Sequence, residues 1–396
     1  GKRIISASDD RHIYVWDLQG QILDELKGHR SSVLSLAMHP EGTQVVSTSD
    51  DNTVRLWQLE SFVKIPALAG HHGIVWDVCW QPKGTQLVSA GADQTVRLWD
   101  ESAPHQRLIK TVPGHNSSVY SVDWRVDGQM IASASADHRV KLWNLSGDLV
   151  HDFEGHQNAV WAVKFSPDGS YVASAGSDRN IRLWYTDGTP MGQLRGHEGT
   201  IWTVAFSPNG RYLVSGSEDG TLRQWSLTGI ATGDPNFADQ VGQVLQGHTG
   251  SVWAVAVSPD GDTIASAGSD NTVRLWKKGE LVHTLRGHHD WVRSVSFGLG
   301  GSVVASASDD GTIRFWQVSG GQLLHTLNAH RGIIWQASFD STGKRVASAG
   351  ADGYIRLWNL DMADLMKQGC QWLGDYLAYG DLSDIDRLVC EDIENL

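Results

Sequence analysis

His156, Ser174 and Asp178 lie within the thirty residues GHQNAVWAVKFSPDGSYVASAGSDRNIRLW, 155 to 184. A serine hydroxyl, an imidazole to take its proton and a carboxylate to orient the imidazole are the parts of a nucleophilic catalyst. One reacting geometry needs one such set. This chain makes the set repeatedly. Trp recurs at 16, 57, 99, 143, 184, 225, 276, 316 and 358, each with an Asp six residues and a Ser ten residues before it. Eight of the nine also have a His 28 residues earlier, at 29, 71, 115, 156, 197, 248, 288 and 330. Repetition at an unvarying interval points to a structural device rather than to eight active sites.

Hydrogen-bond chemistry says what that device is. A buried indole N–H needs an acceptor, and a buried carboxylate needs donors. A relay from Trp to Ser, Ser to His and His to Asp satisfies all four groups in each copy. His156, Ser174, Asp178 and Trp184 are therefore expected to form a structural network, with no catalytic residue among them. Other chemistry is missing from the sequence: it has no GxxxxGK[ST] phosphate loop, no HExxH and no CxxC. No enzyme activity, metal or cofactor is expected.

Between the anchors the residues alternate. AVWAVKF and YVASAG read as short strands joined by the SPDG turn, NIRLW as a third, and PMGQLRGH as the approach of a fourth. Four short strands in about 42 residues leave no room for a helix. One such sheet is too small to be stable alone, but sheets packed face to face around an axis cover each other. Gly-His, FSPDG, SxSD and the terminal Trp together resemble the WD repeat of β-propellers, over residues 1 to about 360. The chain departs from that pattern where Ala329 replaces the Gly before His330. The Asp after the terminal Trp also survives only at Asp17 and Asp100. The resemblance implies an all-β WD40-type propeller of four-stranded antiparallel blades, and the same four-residue relay.

The first residues align with 343 to 362, so the chain opens at the second strand of a blade. Two closures of the ring follow. QILDELK at 21–27 could supply the missing outer strand, giving eight blades from residues 21–360 and leaving 1–20 as a partial blade. FVKIPAL at 62–68 could supply it instead, giving seven and leaving 1–60 to an upstream propeller. Eight orphans fewer residues and is preferred by a small margin.

Five residues after each repeat His stand Leu34, Trp76, Tyr120, Trp161, Trp202, Trp253, Arg293 and Trp335. By resemblance to WD propellers this position faces the top mouth of the central channel. Without Leu34 it makes a collar of residue types that dominate binding hot spots. The competing reading is that these Trp are repeat consensus packed between blades. Trp291 is expected at the collar's rim, and Trp80 and Trp124 in the core. TGIATGDPNFAD at 228–239 lengthens one connection, either as a tolerated insertion or as a second contact surface. His72, His105, His151, His283 and His325 show no shared spacing and are read as surface or strand residues.

The tail at 361–396 places Leu365, Met366, Gly369, Trp372, Leu373 and Tyr376 at helical spacing, among nine acidic residues. A short helical acidic segment is expected. DLMKQGCQWLGDYL and DRLVCEDI resemble the ending of cyanobacterial multi-WD-repeat proteins, in which a NACHT-type NTPase often precedes the propeller. That resemblance implies upstream domains in the full-length chain and a sensor role for the propeller. The formal net charge of −13 argues against a nucleic-acid or acidic-membrane surface. Cys79, Cys370 and Cys390 form no disulfide framework, which fits a cytoplasmic setting. The function expected is a non-catalytic scaffold that binds a protein or peptide at its top face. An enzyme with a pocket at the channel mouth is the alternative.

Overall fold

The structure, a computed structural model, describes residues 3–8, 11–17, 22–27, 31–38, 44–51, 53–58, 67–68, 70–82, 84–100, 108–228, 242–330 and 332–360. The chain divides into two compact units, Gly1–Ile65 and Pro66–Leu396. The first holds two three-stranded sheets: Arg3–Ala7, His12–Asp17 and Ile22–Lys27, then Val33–Met38, Gln44–Ser49 and Val54–Gln58.

The second unit holds seven four-stranded antiparallel sheets. Their inner strands are Val75–Trp80, Val119–Trp124, Val160–Phe165, Ile201–Phe206, Val252–Val257, Val292–Gly298 and Ile334–Phe339. Each inner strand packs beside the next, and the last packs beside the first, so the ring is closed. Six blades take their strands consecutively along the chain. The seventh, Ile334–Phe339, Arg345–Gly350 and Ile355–Asn359, is completed by Ala67–Leu68, with Leu68 opposite Ile355 and Ala67 opposite Arg356.

The ring therefore has seven blades, and the preference for eight is corrected. Ile22–Lys27, the strand that eight blades would need as a closure, pairs with His12–Asp17 beside it in the chain. A hairpin partner a few residues away costs far less loop entropy than one at Trp358. The ring starts at the second closure, near residue 67, so the proposed boundary at 20/21 falls instead at 65/66. The helical reading of 361–396 lies outside the described residues, as does most of the 228–239 insertion.

The blades cohere because their middle strands are covered on both faces. Tyr171–Gly176 is buried at every residue, and small Ala173 and Ala175 let the neighbouring sheet approach. Each hydrophobic cluster joins neighbouring blades; one sets Val88, Ala90 and Leu98 of one sheet against Val119, Val122 and Trp124 of the next. Trp80 and Trp124 are core, as expected. So are the repeat-end Trp99, Trp143, Trp184, Trp225, Trp276 and Trp316, whereas Trp358 is half-buried.

The relay is present in all seven blades. Each terminal indole N–H donates to its Ser Oγ at 2.8–2.9 Å. That hydroxyl lies 2.7–2.8 Å from the His Nε2, and the His Nδ1 lies 2.8–3.0 Å from the Asp carboxylate. The donors fix the tautomer. The indole can only donate, so the Ser proton goes to Nε2, and Nδ1–H goes to the carboxylate. Each Asp also accepts donors from its own turn. Asp178 takes the Gln157 N–H at 3.2 Å and the Asn180 N–H at 3.2 Å. His29, needed for the same set around Trp57, lies outside the described residues.

The Gly before the His has a steric cause. At Gly114, with φ of +149°, a Cβ would stand 2.6 Å from the Trp143 ring. Ala329, which replaces this Gly in the seventh blade, is buried and donates its N–H to the Gly311 carbonyl at 3.0 Å.

Replacing His156 by Ala leaves Ser174 and Asp178 short of a buried partner, a loss of about 1–3 kcal/mol. A thermal melt of His156→Ala should fall clearly below the parent, while His283→Ala on an outer strand stays close to it. Equal midpoints for the two variants would contradict the relay's structural role.

The relay also sets an acid limit. Burial would raise the carboxyls of Asp93, Asp137, Asp219, Asp270 and Asp310. The His, Thr and backbone donors around them outweigh burial and hold them well below the usual range. His71 and His330 are lowered by burial, against the pull of Asp93 and Asp352. Both kinds of group bind fewer protons folded than unfolded, so stability must fall as pH falls. The decline should begin near the ordinary His value, about 6.5, and steepen below about 4 as carboxylates protonate. Denaturant melts from pH 8 to pH 4 check this; a midpoint that rises on acidification would contradict it.

Candidate functional site

In each inner strand the pairing slips by one residue at the same place: Val75/Asp77, Val119/Ser121, Val160/Ala162, Ile201/Thr203, Val252/Ala254, Val292/Ser294 and Ile334/Gln336. The residue left over is Trp76, Tyr120, Trp161, Trp202, Trp253, Arg293 or Trp335. Each collar residue is thus the extra residue of a β-bulge, and a bulge re-aims the side chain it frees from the ladder.

The seven side chains meet in a closed circle, and all are half-buried. Trp76 lies edge-on to Tyr120 at 5.2 Å between ring centres. Tyr120 stacks on Trp161 at 3.8 Å, and Trp161 meets Trp202 at 4.8 Å. Trp202 meets Trp253 at 4.5 Å, and the Arg293 guanidinium sits 4.3 Å from Trp253 and 4.8 Å from Trp335. Trp335 returns to Trp76 at 4.4 Å. Arg293 is fixed by two 2.8 Å bonds to the Asp309 carboxylate, so its cation is paired while its faces lie against rings. Trp291 stacks on Trp253 and Arg293 and is 42% exposed, which puts it at the collar's edge as the sequence suggested. Leu34, the equivalent residue in the first unit, is 61% exposed there.

All seven line one cavity of about 570 Å³. It runs along the inner strands from the collar to Pro167, Pro208 and Pro259 in the turns that end three of them. The bulged position is polar in an unusual way. The indole N–H groups of Trp76, Trp202, Trp253 and Trp335 are buried without a hydrogen-bond partner, whereas Trp161 donates to Ser177 Oγ at 3.0 Å. A buried unpaired donor costs about 1–3 kcal/mol, and the collar holds four of them. The repeat-end indoles of the seven blades are all paired; of the five buried indoles left without a partner among the described residues, four are in the collar and the fifth, Trp80, is in the blade core.

His156, Ser174, Asp178 and Trp184 lie in the blade wall and do not line the cavity. Their geometry is that of a nucleophile, base and orienting acid. Yet Ser174 is 0% exposed, and its oxygen already accepts the Trp184 N–H. No substrate atom reaches it.

Two residues of the cavity wall, Asp77 and Lys164, and Asp123 behind them escaped the sequence reading. Asp77 and Asp123 follow collar residues by one and three positions, and Lys164 follows Trp161 by three. Lys164 Nζ lies 3.2 Å from Asp123 Oδ1. Burial would lower the Lys164 ammonium, but Asp123 and Asp77 outweigh it and hold the group charged. Cys79 beside them carries a free thiol pushed up by burial and then by Asp123. The signal was a charge at positions where other repeats have Ser, Ala, Thr, Gln or Cys. The supernumerary His also had an order that was overlooked. His151, His283 and His325 each stand five residues before a repeat His, in the outer strands Leu149–Phe153, Glu280–Arg286 and Leu323–Asn328.

Among the described residues no helix is long and apolar enough to cross a membrane. Comparison with known proteins bears on the repeat. A stretch of 56 residues is 43% identical to nuclear distribution protein PAC1 of Tuber melanosporum (strain Mel28), covering 14% of this chain and 12% of that protein. Another of 57 residues is 44% identical to nuclear distribution protein PAC1 of Yarrowia lipolytica (strain CLIB 122 / E 150), covering 14% and 13%. The matches thus span about an eighth of each relative. The family model described as WD domain, G-beta repeat matches at 1–17, 20–58, 62–100, 106–144, 147–185, 188–226, 239–277, 279–317 and 321–359. With nearly every residue of the seven blades inside those matches, and the relay formed in each blade, the chain belongs to the WD40-repeat family of β-propellers.

Proposed function

We propose that this propeller is a protein-interaction scaffold that captures a peptide segment of its partner at the bulged collar, without catalysing a reaction. WD40 propellers are generally interaction modules of this kind. The observation that carries the reading is the collar itself. Seven bulge residues close a circle at one end of a cavity, and four of their indole N–H groups lack acceptors. Backbone carbonyls of an extended peptide would supply those acceptors, and the ring faces supply contact area at low entropy cost. The cavity volume falls within the roughly 300–1,000 Å³ usual for binding sites.

The enzyme alternative is less well supported, because the mouth is mostly aromatic and the collar cation, Arg293, is already held by Asp309. Two further parts of the reading rest on sequence alone. The resemblance of the tail to cyanobacterial multi-WD-repeat proteins supports a sensor propeller attached to upstream signalling domains. Cysteine usage supports a cytoplasmic setting.

The test starts from short peptides selected from a displayed random library on the whole chain. The triple variant Trp161→Ala, Trp202→Ala, Trp253→Ala should weaken their binding, read by fluorescence anisotropy, by about tenfold or more per hot-spot residue. Its circular dichroism should remain that of the parent. Unchanged affinity in the triple variant would overturn the proposal.

A further inference from the structure

The wall below the collar is not uniform. Six and eight positions after the repeat His, most blades carry Ser, Ala, Thr or Gln, and the charges gather on three adjacent inner strands as Asp77, Asp123 and Lys164. Asp123 is matched: it holds Lys164, and its second oxygen accepts the Phe165 N–H at 2.8 Å. Asp77 is not. It lines the cavity at 5% exposure. Its Oδ2 accepts the Ser121 hydroxyl at 3.1 Å and the Val122 N–H at 3.0 Å, while Oδ1 is buried with no partner. Two carboxylates thus face one ammonium, and the Arg293 cation nearby is committed to Asp309. Burial raises the Asp77 carboxyl against the pull of Lys164, which is the behaviour of a carboxylate short of positive charge.

An unpaired acid beneath aromatic rings calls for a cation. The rings already accept one, since Arg293 lies against Trp253, Trp291 and Trp335. Among the described residues no three His, Cys, Asp or Glu side chains converge on a metal ion, so an organic cation suits the site better. We propose that Asp77 selects the charge of the ligand: a Lys or Arg side chain of the captured peptide enters the channel through the collar, and its ammonium or guanidinium pairs with the Asp77 carboxylate. The proposal rests on the collar being the peptide site and deepens that reading.

The experiment compares parent and Asp77→Asn, which keeps the side-chain shape and the Val122 contact. The probes are a library-selected peptide, the same peptide with its basic residue replaced by citrulline or norleucine, and free agmatine. The selected peptides should be rich in Lys or Arg. Asp77→Asn should weaken the basic peptide about tenfold or more and leave the neutral analogue's affinity unchanged, which also shows that the variant is folded. Agmatine should compete with the basic peptide on the parent alone; agmatine binding as tightly as the peptide would keep the cation site but assign it to a free amine. Selected peptides without basic residues, or a basic peptide indifferent to Asp77→Asn, would overturn the proposal. If the triple Trp variant also retains binding, the collar reading falls with it; if that variant loses binding, the charge assignment alone is lost.

Discussion

A buried tryptophan indole is costly unless its N–H finds an acceptor, and this molecule supplies one seven times in the same way. Ser accepts from the indole, and passing the hydroxyl proton to His Nε2 leaves Nδ1–H for the carboxylate at the turn. The relay links the third strand, the second strand, the tight turn and the incoming loop of a blade that would be too small to hold itself together. Because each relay closes within its own blade, the inner strand is released from that duty. Its first residues are free to bulge and present a side chain to the channel.

This division explains why the Ser, His and Asp of a relay, though in catalytic order, form a girder within the blade. The geometry that makes a good base also makes a good girder; what differs is access and the fourth partner. Ser174 is enclosed and its oxygen is taken by Trp184. At the channel mouth, by contrast, four indole donors are not taken. The same residue type stands at both ends, paired in the seven relays and unpaired at four of the mouth positions.

Most of the blade was legible in the sequence because its anchors recur at one interval, and the relay partners follow from hydrogen-bonding capacity alone. The bulge was legible too, though it was not read. In VWDVCW the core residues are Val75, Val78 and Trp80, a spacing of three and then two that breaks strict alternation. The collar residues were picked out by their type and repeat position; the phase slip gives the physical reason they face the channel. Blade number was not decided by pattern, because Ile22–Lys27 and the segment at 62–68 are both adequate outer strands. Their difference lies in which partner is near in the chain. Asp77 and Lys164 were passed over because a repeat reading attends to what recurs, and those residues matter by departing from it.

The central claim is that two populations of indole exist, one holding the fold and one kept open for a ligand. Hydrogen exchange of the indole N–H protons, followed by NMR on the free protein, tests it most directly. Trp99, Trp143, Trp184, Trp225, Trp276 and Trp316 should exchange only through global unfolding, while Trp76, Trp202, Trp253 and Trp335 exchange through local opening and orders of magnitude faster. Repeat-end indoles that exchange as fast as those of the collar would contradict the account.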